Sequence, residues 1–580
     1  MPPKPKENLQ RLQDECLFVG GPLLKGKPNV RSAFFRRVIG RNRARSRQVA
    51  ADNLELMLRK QDGANGPIVS CVCSYLTKSG APVSTAVGSP GSNKYRMIYP
   101  KARKEQDGGI LKRCPACGGN LYAPAALAPR PQLHGAGRYD PLLPINSTME
   151  KLNVHELLDF AATIIWPHFR LAGHAANCYQ SWVFPLEDNL QLYAILWAAA
   201  YHRDVLRVTS GVPCPKSGQQ LYLKSLALQA LQTEVANVSK LTSPDRLVMC
   251  TLWLAANDKH KRIVRDLSPF NPPFINLHAL DFCGGQDYHP LHWHMVQDII
   301  QRFGGIGSIR TYALAWLVSL SSLMTAMQFL CKPIYPVMTV YNQPLDLQPP
   351  TDLFRPHGYD DKGFCAAGSG FYDFHYLWPP VKQNVVQVFI HLGQYSAVLQ
   401  YFQGCSTCSP VALDLLGDSR NQIHHRLLSL PSEHDTVDLI LEYKELAPTY
   451  KARTFDQTRL SWEIYLACRL SAILYAAHVT FPIPRTKMVR GILLSSLCPR
   501  LESLCAHKIS SPLLIWCLAV VISTMHDESP STLVNYAAQL CHEFGVNNTG
   551  GLSDFLRSFA WVDAAVNDGW EDMWTGILIS

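Results

Sequence analysis

Residues 311–331, TYALAWLVSLSSLMTAMQFLC, contain no charged side chain over 21 positions between Arg310 and Lys332. A helix of this length could cross a lipid bilayer. However, Ser319, Ser321 and Ser322 make the stretch polar for a single spanning helix. A helix that is apolar on all sides is also typical of the interior of a large helical protein. The stretch therefore predicts a buried core helix and no membrane partner.

The sequence on both sides of this stretch has the spacing of amphipathic helices. Val154, Leu157, Leu158 and Ile165, for example, recur with the three- and four-residue spacing of one helix face. We expect Pro167 to end this first helix, because an interior proline removes a hydrogen bond and clashes with the preceding turn. Clean alternation of apolar and polar residues is nearly absent, so the predicted fold class is all-α. Similar patterns predict helices over residues 190–207, 221–238, 244–256, 292–303, 312–330, 383–402, 435–445, 458–478, 487–506, 511–526, 531–543 and 552–566.

The chain divides by charge into a basic leader and a longer body. Residues 1–140 contain 24 Lys and Arg against 9 Asp and Glu, whereas the remainder contains 31 against 36. The leader is also rich in Gly, Ser, Pro and Ala, and such sequence buries too little apolar surface to offset the entropy of ordering it. We predict a mostly disordered basic leader over residues 1–139 with a short helix at about 31–60. A large helical domain should follow over residues 140–580, with an irregular insert at about 332–380.

The densest charge in the leader is the segment RSAFFRRVIGRNRARSR at residues 31–47, which has seven arginines and no acidic residue. Arginine clusters bind phosphates and the acidic grooves of nuclear import receptors. Because phosphate contacts give affinity without reading base sequence, we predict an import receptor as the first partner and nonspecific DNA contact as the second. The alternative is a solvated tether without a specific partner. The candidate site residues are Arg31, Arg36, Arg37, Arg41, Arg43, Arg45 and Arg47.

The cysteine pattern does not complete a metal site. Cys114-Pro-Ala-Cys117 resembles one knuckle of a zinc ribbon, but a structural zinc needs four ligands. The nearest further pair, Cys71 and Cys73, lies well upstream in the leader. Many of the 18 cysteines lie inside apolar runs, which indicates free thiols in a reducing compartment. We expect no bound metal and no cofactor.

Motifs for catalysis are also missing from the sequence. His289, His292 and His294 lie at the predicted start of a helix and lack the spacing of a helical zinc site. The glycines at 304–305 follow a helix, whereas phosphate-binding loops precede one, so they predict a helix end. The sequence contains no nucleophile elbow, P-loop or dinucleotide fingerprint. We therefore predict a protein without catalytic residues.

Five segments of the body form an ordered series of apolar and aromatic motifs. They are Trp166-Pro167 with Trp182 to Asp188, Leu192 to Asp204, His294 to Gly305, Glu463 with Cys468 to Tyr475, and Leu556 to Trp574. In this order they resemble the helical regulatory domain of fungal-specific transcription factors. The nearest subgroup has an arginine-rich N-terminal motif after a Phe-Val stretch, here Phe18-Val19, and no binuclear zinc cluster. Gly40 departs from that motif, because glycine disfavours one continuous arginine-lined helix.

This resemblance implies a nuclear transcriptional regulator, with control of a metabolic or secondary-metabolite gene set. It also implies that the helical domain is an inhibitory, effector-sensing or dimerising module that works with transcriptional partner proteins, and it leaves a homodimer open. The residues alone leave an alternative, a cytosolic helical interaction or ligand-sensing protein that does not bind DNA directly. An enzyme with an unrecognised site is the third hypothesis, which a deep polar pocket with converging titratable groups would favour.

Overall fold

The computed structural model describes most of the chain from Val154 onwards and three two-residue strands before it. The part spanning residues 154–580 is 73% helical, which confirms the predicted all-α class. The predicted disorder of the leader and its helix at about 31–60 concern residues that, apart from the three strands, lie outside this description. The described residues are 76–77, 112–113, 120–121, 154–171, 173–183, 189–209, 218–237, 241, 243–256, 265–285, 288–354, 366–405, 407–442, 451–525 and 528–579.

Eighteen α-helices follow one another along the described body. The first nine are α1 (Val154–Phe160), α2 (Trp166–Phe169), α3 (His174–Cys178), α4 (Asn189–Thr209), α5 (Gly218–Ala236), α6 (Asp245–Ala256), α7 (Leu280–Gly284), α8 (Pro290–Arg302) and α9 (Leu314–Phe329). The second nine are α10 (Pro350–Leu353), α11 (Gln383–Gln403), α12 (Pro410–Ser429), α13 (Lys451–Tyr475), α14 (Lys487–Ala506), α15 (Pro512–Met525), α16 (Ser531–Glu543), α17 (Thr549–Arg557) and α18 (Trp570–Ile579).

Strands are confined to two short antiparallel pairs among the described residues. β1 (Leu76–Thr77) pairs with β4 (Thr407–Cys408), and β2 (Lys112–Arg113) pairs with β3 (Asn120–Leu121). Pairs of two residues cannot form a core of their own, because an isolated two-stranded ribbon is marginal in water. The helices therefore determine the architecture of the body.

The central helix α9 confirms the prediction made from residues 311–331. Every side chain from Leu314 to Met324 is buried, including Ser319, Ser321 and Ser322. The Ser322 hydroxyl accepts a hydrogen bond from the Ile334 backbone N–H, so the serines hold the chain that follows the helix. Among the described helices, none is long and apolar enough to cross a membrane.

The helices on the N-terminal side of α9 pack against one another. Helix α4 lies against α5 and α6, and α8 packs along α6. On the C-terminal side, α13 packs against α14 and α15, while α16 contacts α14, α15 and α18. Their buried side chains form one continuous hydrophobic core that runs from Val154 to Ile577. The two sides are also joined by the backbone, because Phe270 bridges Val566 and the Asn271 N–H donates to the Ala565 carbonyl at 2.7 Å.

The described residues of the predicted insert at about 332–380 are packed into the core. Val340 and Phe354 are completely buried, and a 3₁₀ segment, Ser369–Tyr376, buries Phe371 and Phe374. The ring of Phe371 meets Trp516 of α15 edge to face at 5.0 Å. The segment therefore contributes to the hydrophobic core despite its lack of helical periodicity.

The prediction that Pro167 ends the first helix was wrong. A π-helical segment, Ala161–Ile165, joins α1 to α2, and Pro167 occupies the first turn of α2. Pro167 therefore lies inside a continuous helical path, directly after a π-helical turn in which the regular α-helical hydrogen bonding is already interrupted. The helical path ends at Phe169, after which Arg170 is extended.

The predicted helix at 435–445 was wrong over the residues that the structure describes there. Residues 435–442 are not an α-helix, because Asp435 closes a turn with the Ser432 N–H and residues 380–382 pair with the backbone of residues 440–442.

Helix α12 was not predicted, although Ser409 caps it by accepting from the Ala412 N–H. The predicted helix 552–566 is also shorter, since α17 ends at Arg557.

Two glycines allow the backbones of distant segments to meet inside the core. A Cβ atom at Gly393 of α11 would overlap the Phe559 carbonyl oxygen and lie 2.5 Å from Gly368 Cα. Gly368 itself has a φ of +81° and lies over the backbone of Ile390. Only residues without a Cβ permit so close a crossing of main chains.

Candidate functional site

Arg170, immediately after α2, makes a buried ion pair with Asp418 of α12. Its Nη1 lies 2.6 Å from Asp418 Oδ1, and its Nη2 donates to Oδ2 at 3.0 Å. Both side chains are excluded from solvent. The parallel pair of hydrogen bonds is the geometry in which a guanidinium and a carboxylate interact most strongly. Arg170 also lies 5.5 Å from the ring centre of Trp316 in α9.

Asp414, one helical turn before Asp418, adds a second carboxylate to this cluster. Its Oδ1 accepts from the Leu171 backbone N–H at 2.9 Å, and its Oδ2 lies 3.8 Å from Arg170 Nε. The His278 ring lies 4.0 Å from Asp414 Oδ1 and 3.5 Å from Arg170 Nη1. Burial and the nearby arginines hold the pKa of His278 well below its usual range, so the ring is neutral.

Arg420 supplies the second positive charge of the cluster. It donates to Asn421 Oδ1 at 3.1 Å and to the Leu277 carbonyl at 3.0 Å. Burial lowers its pKa to about 10, which still leaves the guanidinium protonated near neutral pH. The cluster also depends on Gly417, because a Cβ there would lie 2.6 Å from His278 Nε2.

We call Arg170, His278, Asp414, Asp418, Arg420 and Asn421 the buried charge cluster. Its two arginines and two aspartates balance one another, and its hydrogen bonds join the end of α2, the turn before α7 and helix α12. A buried network that is paired in this way fixes the relative positions of the elements that carry it. The geometry therefore gives the cluster a positioning role inside the fold.

A second feature is a cavity of about 40 Å³ beside α4. Its buried floor includes Trp166, Trp182 and Ala199, while Trp253 and Phe282 at its rim are half-buried. The residues that line it are Ala161, Ile165, Trp166, Phe169, Trp182, Ile195, Ala198, Ala199, His202, Trp253, Ala256, Phe282, Cys283 and Tyr288. We call this space the aromatic cavity.

Aromatic contacts hold the walls of this cavity in place. The rings of Trp166 and Trp182 meet edge to face at 5.7 Å, and Trp182 meets Trp253 at 6.4 Å. His202 stacks on Phe282 at 3.8 Å, with 17° between the ring planes. Offset and edge-to-face pairs of this kind add stability beyond the apolar area that they bury.

The aromatic cavity is electrically neutral at physiological pH. Burial lowers the pKa of His202 to about 3, and it raises the pKa of Cys283 to about 12. The Tyr288 hydroxyl donates to Ser321 Oγ at 3.0 Å, and burial raises its pKa. None of the lining residues is Asp, Glu, Lys or Arg. The cavity consequently suits apolar groups and disfavours ions, which would lose hydration without gaining a counter-charge.

Two π-helical segments flank the aromatic cavity. Ala161–Ile165 contributes Ala161 and Ile165 to the lining, and Tyr179–Val183 contributes Trp182. Such bulges are rare and are found often at functional sites, because they turn side chains away from the regular helical positions.

Buried histidines make the body sensitive to acid. Burial is the main reason that each of six pKa values lies below the usual 6.5, at about 3 for His174, His202, His424 and His478 and about 4 for His391 and His425. As the pH falls below about 6.5, the unfolded chain binds protons that the folded chain does not. We expect each histidine to remove about 1.4 kcal/mol of unfolding free energy per pH unit in the range between the two pKa values.

Urea unfolding followed by circular dichroism at several pH values measures this effect. The urea midpoint should be constant above about pH 7 and should fall steeply towards about pH 5. As a matched control, His391→Gln removes one of these histidines. The variant should show a smaller slope of unfolding free energy against pH, by the contribution of a single proton. A midpoint that stays constant down to about pH 5 would contradict the assignment of neutral buried histidines.

The structure does not test the arginine residues predicted from the sequence. The seven predicted arginines lie outside the described residues, as do Cys114 and Cys117. The arginines are Arg31, Arg36, Arg37, Arg41, Arg43, Arg45 and Arg47. The two cysteines fall in the connection between β2 and β3. The glycines at 304–305 follow α8 with φ values of +94° and +97°, which confirms the predicted helix end. His289 precedes α8, and His294 pairs with Asp298 at 3.1 Å.

Sequence reasoning missed both the buried charge cluster and the aromatic cavity. The signal available for the cavity was the resemblance itself, because Trp166, Trp182 and His202 all belong to its motif segments. Comparison with protein-family models, with curated proteins and with solved structures finds no match to this chain.

Proposed function

We propose that this protein is a nuclear transcriptional regulator, similar in kind to fungal-specific transcription factors, that acts through its helical body and transcriptional partner proteins. The proposal rests on the contacts between the motif segments that were defined from the sequence. Trp166, Trp182, Ile195, Ala199 and His202 come from two separate motif segments and line the same cavity.

A second meeting of motif segments supports the same proposal. Tyr475 at the end of α13 stacks on Trp561 at 5.8 Å, and Trp561 contacts Trp570 at 5.8 Å. Tyr475 belongs to the fourth motif segment and is distant in sequence from the two tryptophans, which belong to the fifth. Motifs that pack on one another inside a helical core are consistent with a shared regulatory domain.

The arginine segment at residues 31–47 provides the expected route to the nucleus. Its partner would be a nuclear import receptor, with nonspecific phosphate contacts to DNA as a secondary interaction. In this proposal, selection of a metabolic or secondary-metabolite gene set comes from partner proteins. A homodimer is compatible with this mode of action.

Replacing six arginines with alanine should abolish nuclear accumulation of a fluorescently tagged full-length chain. The variant carries Ala at Arg36, Arg37, Arg41, Arg43, Arg45 and Arg47. Its control removes six other basic residues of the leader, Lys94, Arg96, Lys101, Arg103, Lys104 and Lys112, and should remain nuclear. If the first variant accumulates in nuclei as the unaltered chain does, the arginine segment is not the import signal.

Transcript profiling tests the regulatory part of the proposal. Deleting the gene should change a restricted set of transcripts, and restoring the intact gene should reverse the change. Unaltered transcripts together with a cytosolic tagged protein would favour the alternative function, a helical ligand-sensing or interaction protein. The aromatic cavity is common to both functions, since a ligand-binding space is needed in a ligand-sensing protein and in an effector-sensing regulator alike.

A further inference from the structure

We propose that the aromatic cavity binds a small uncharged apolar molecule, whose end inserts between the indoles of Trp166, Trp182 and Trp253. The inference rests on the proposed function only for its consequence, namely that the bound molecule is an input to the regulator. Binding itself depends on the walls of the cavity alone.

The volume of the cavity limits the size of the inserted group. One buried water needs about 10–15 Å³. A cavity of about 40 Å³ therefore admits a group of a few heavy atoms. The remainder of a larger ligand would lie across the rim, where Ala198, Trp253, Ala256 and Phe282 are only half-buried.

The polar atoms around the cavity select against charge. The Trp182 indole N–H donates to the Tyr312 carbonyl at 2.7 Å, and the Tyr288 hydroxyl is bonded to Ser321. These groups already have partners, and no lining residue carries a charge. A carboxylate or ammonium group would be desolvated there without compensation, whereas a methyl group or a ring edge would gain contact with aromatic carbon.

The position of the cavity connects a ligand to the rest of the body. Phe169 lines the cavity and meets Trp316 of α9 at 6.4 Å, while the next residue, Arg170, belongs to the buried charge cluster. A movement of α2 on ligand binding would consequently shift Arg170 relative to its partner, Asp418 of α12. The direct bond from Phe169 to Arg170 at the end of α2 is the physical reason to regard the molecule as an input.

Toluene and benzoate, which differ mainly in the charge of one substituent, test the proposal. Titration calorimetry on the full chain should show saturable binding of toluene at one site, with benzoate at least about tenfold weaker. Absence of saturable toluene binding would overturn the proposal, and so would equal affinity for benzoate.

Two matched variants locate the binding site. Ala198→Leu fills the cavity from its rim and should weaken toluene binding by at least about tenfold. Ala230→Leu changes a half-buried alanine of α5 that does not line the cavity, and it should bind as the unaltered chain does. If Ala198→Leu does not fold by circular dichroism, Ala256→Leu, at another half-buried residue that lines the cavity, replaces it. Unchanged binding in a folded cavity-filling variant would overturn the proposal.

These measurements are independent of the regulatory proposal. A chain that is nuclear and alters transcripts but does not bind toluene would retain the proposed function and lose this inference. A cytosolic chain that binds toluene in the aromatic cavity would retain the site and lose the nuclear function.

Discussion

Replacing Arg170 with methionine lowers the free energy of unfolding by about 3–5 kcal/mol, because the change leaves Asp418 as an uncompensated charge in the core. Both partners are buried, and Asp418 loses two hydrogen bonds at once. Methionine keeps much of the side-chain length, so the loss of charge pairing is the main effect. Urea unfolding at neutral pH measures the change as a shift in midpoint.

The matched control for this variant is Arg557→Met. Arg557 also contacts two carboxylates, Asp554 at 2.8 Å and Asp563 at 2.6 Å, but its side chain is 51% exposed. Exposed pairs contribute at most about 1 kcal/mol, so this variant should be nearly as stable as the unaltered protein. Adding Asp418→Leu to Arg170→Met should restore part of the lost stability, because it removes the unpaired charge. Equal losses in Arg170→Met and Arg557→Met would show that burial of the pair is unimportant.

Gly393→Ala is expected to destabilise the protein by about 3 kcal/mol or more, since the added methyl group has no space. It would overlap the Phe559 carbonyl oxygen and the Cα of Gly368, both of which are backbone atoms that cannot rotate away. To remove this overlap, α11 would have to move away from the segment that follows α17. Thermal unfolding and urea titration both measure the loss.

Gly491→Ala provides a control with the opposite sign. Gly491 lies inside α14, and no heavy atom lies within 4 Å of the position that a Cβ would take. Alanine there should stabilise the protein by about 0.5–1 kcal/mol, because it restricts the unfolded chain and favours the helix. If both alanine variants changed stability by the same amount, the close backbone crossing would not explain the first.

The sequence predicted helices well where apolar periodicity and burial agree. Residues 311–331 identified α9 because none of its side chains is charged and most of them are buried, including the three serines. The limits of α14 and α16 were predicted to the residue, since their apolar stripes are bounded by clear changes in composition.

Helix α12 was missed for a physical reason. Its buried face includes Asp414, Asp418, Arg420 and Asn421, so the apolar pattern that indicates a core helix is interrupted where the helix is most buried. Only the start of the helix, Ser409 with Pro410, carried a local signal. The partners that make these charges tolerable, such as Arg170, lie far away in sequence and cannot be inferred from periodicity.

The aromatic cavity could not be predicted from any one segment. It forms where Trp182, Ala199, Trp253 and Phe282 converge from separate elements. Its shape depends on two π-helical turns, and sequence periodicity does not distinguish these from ordinary helix. The arginine segment shows the reverse situation, since residues 31–47 were conspicuous in the sequence and lie outside the described structure.

The backbone bridge between Phe270 and Val566 bears on how the chain is made. During synthesis, residue 270 leaves the ribosome long before residue 566. The segment around Phe270 therefore has no backbone partner until Val566 has been synthesised. Contacts separated by so many residues slow folding, and the waiting apolar surface is prone to aggregate. The body should therefore complete its fold only after residue 566 has left the ribosome, and molecular chaperones would protect the unfinished core until then.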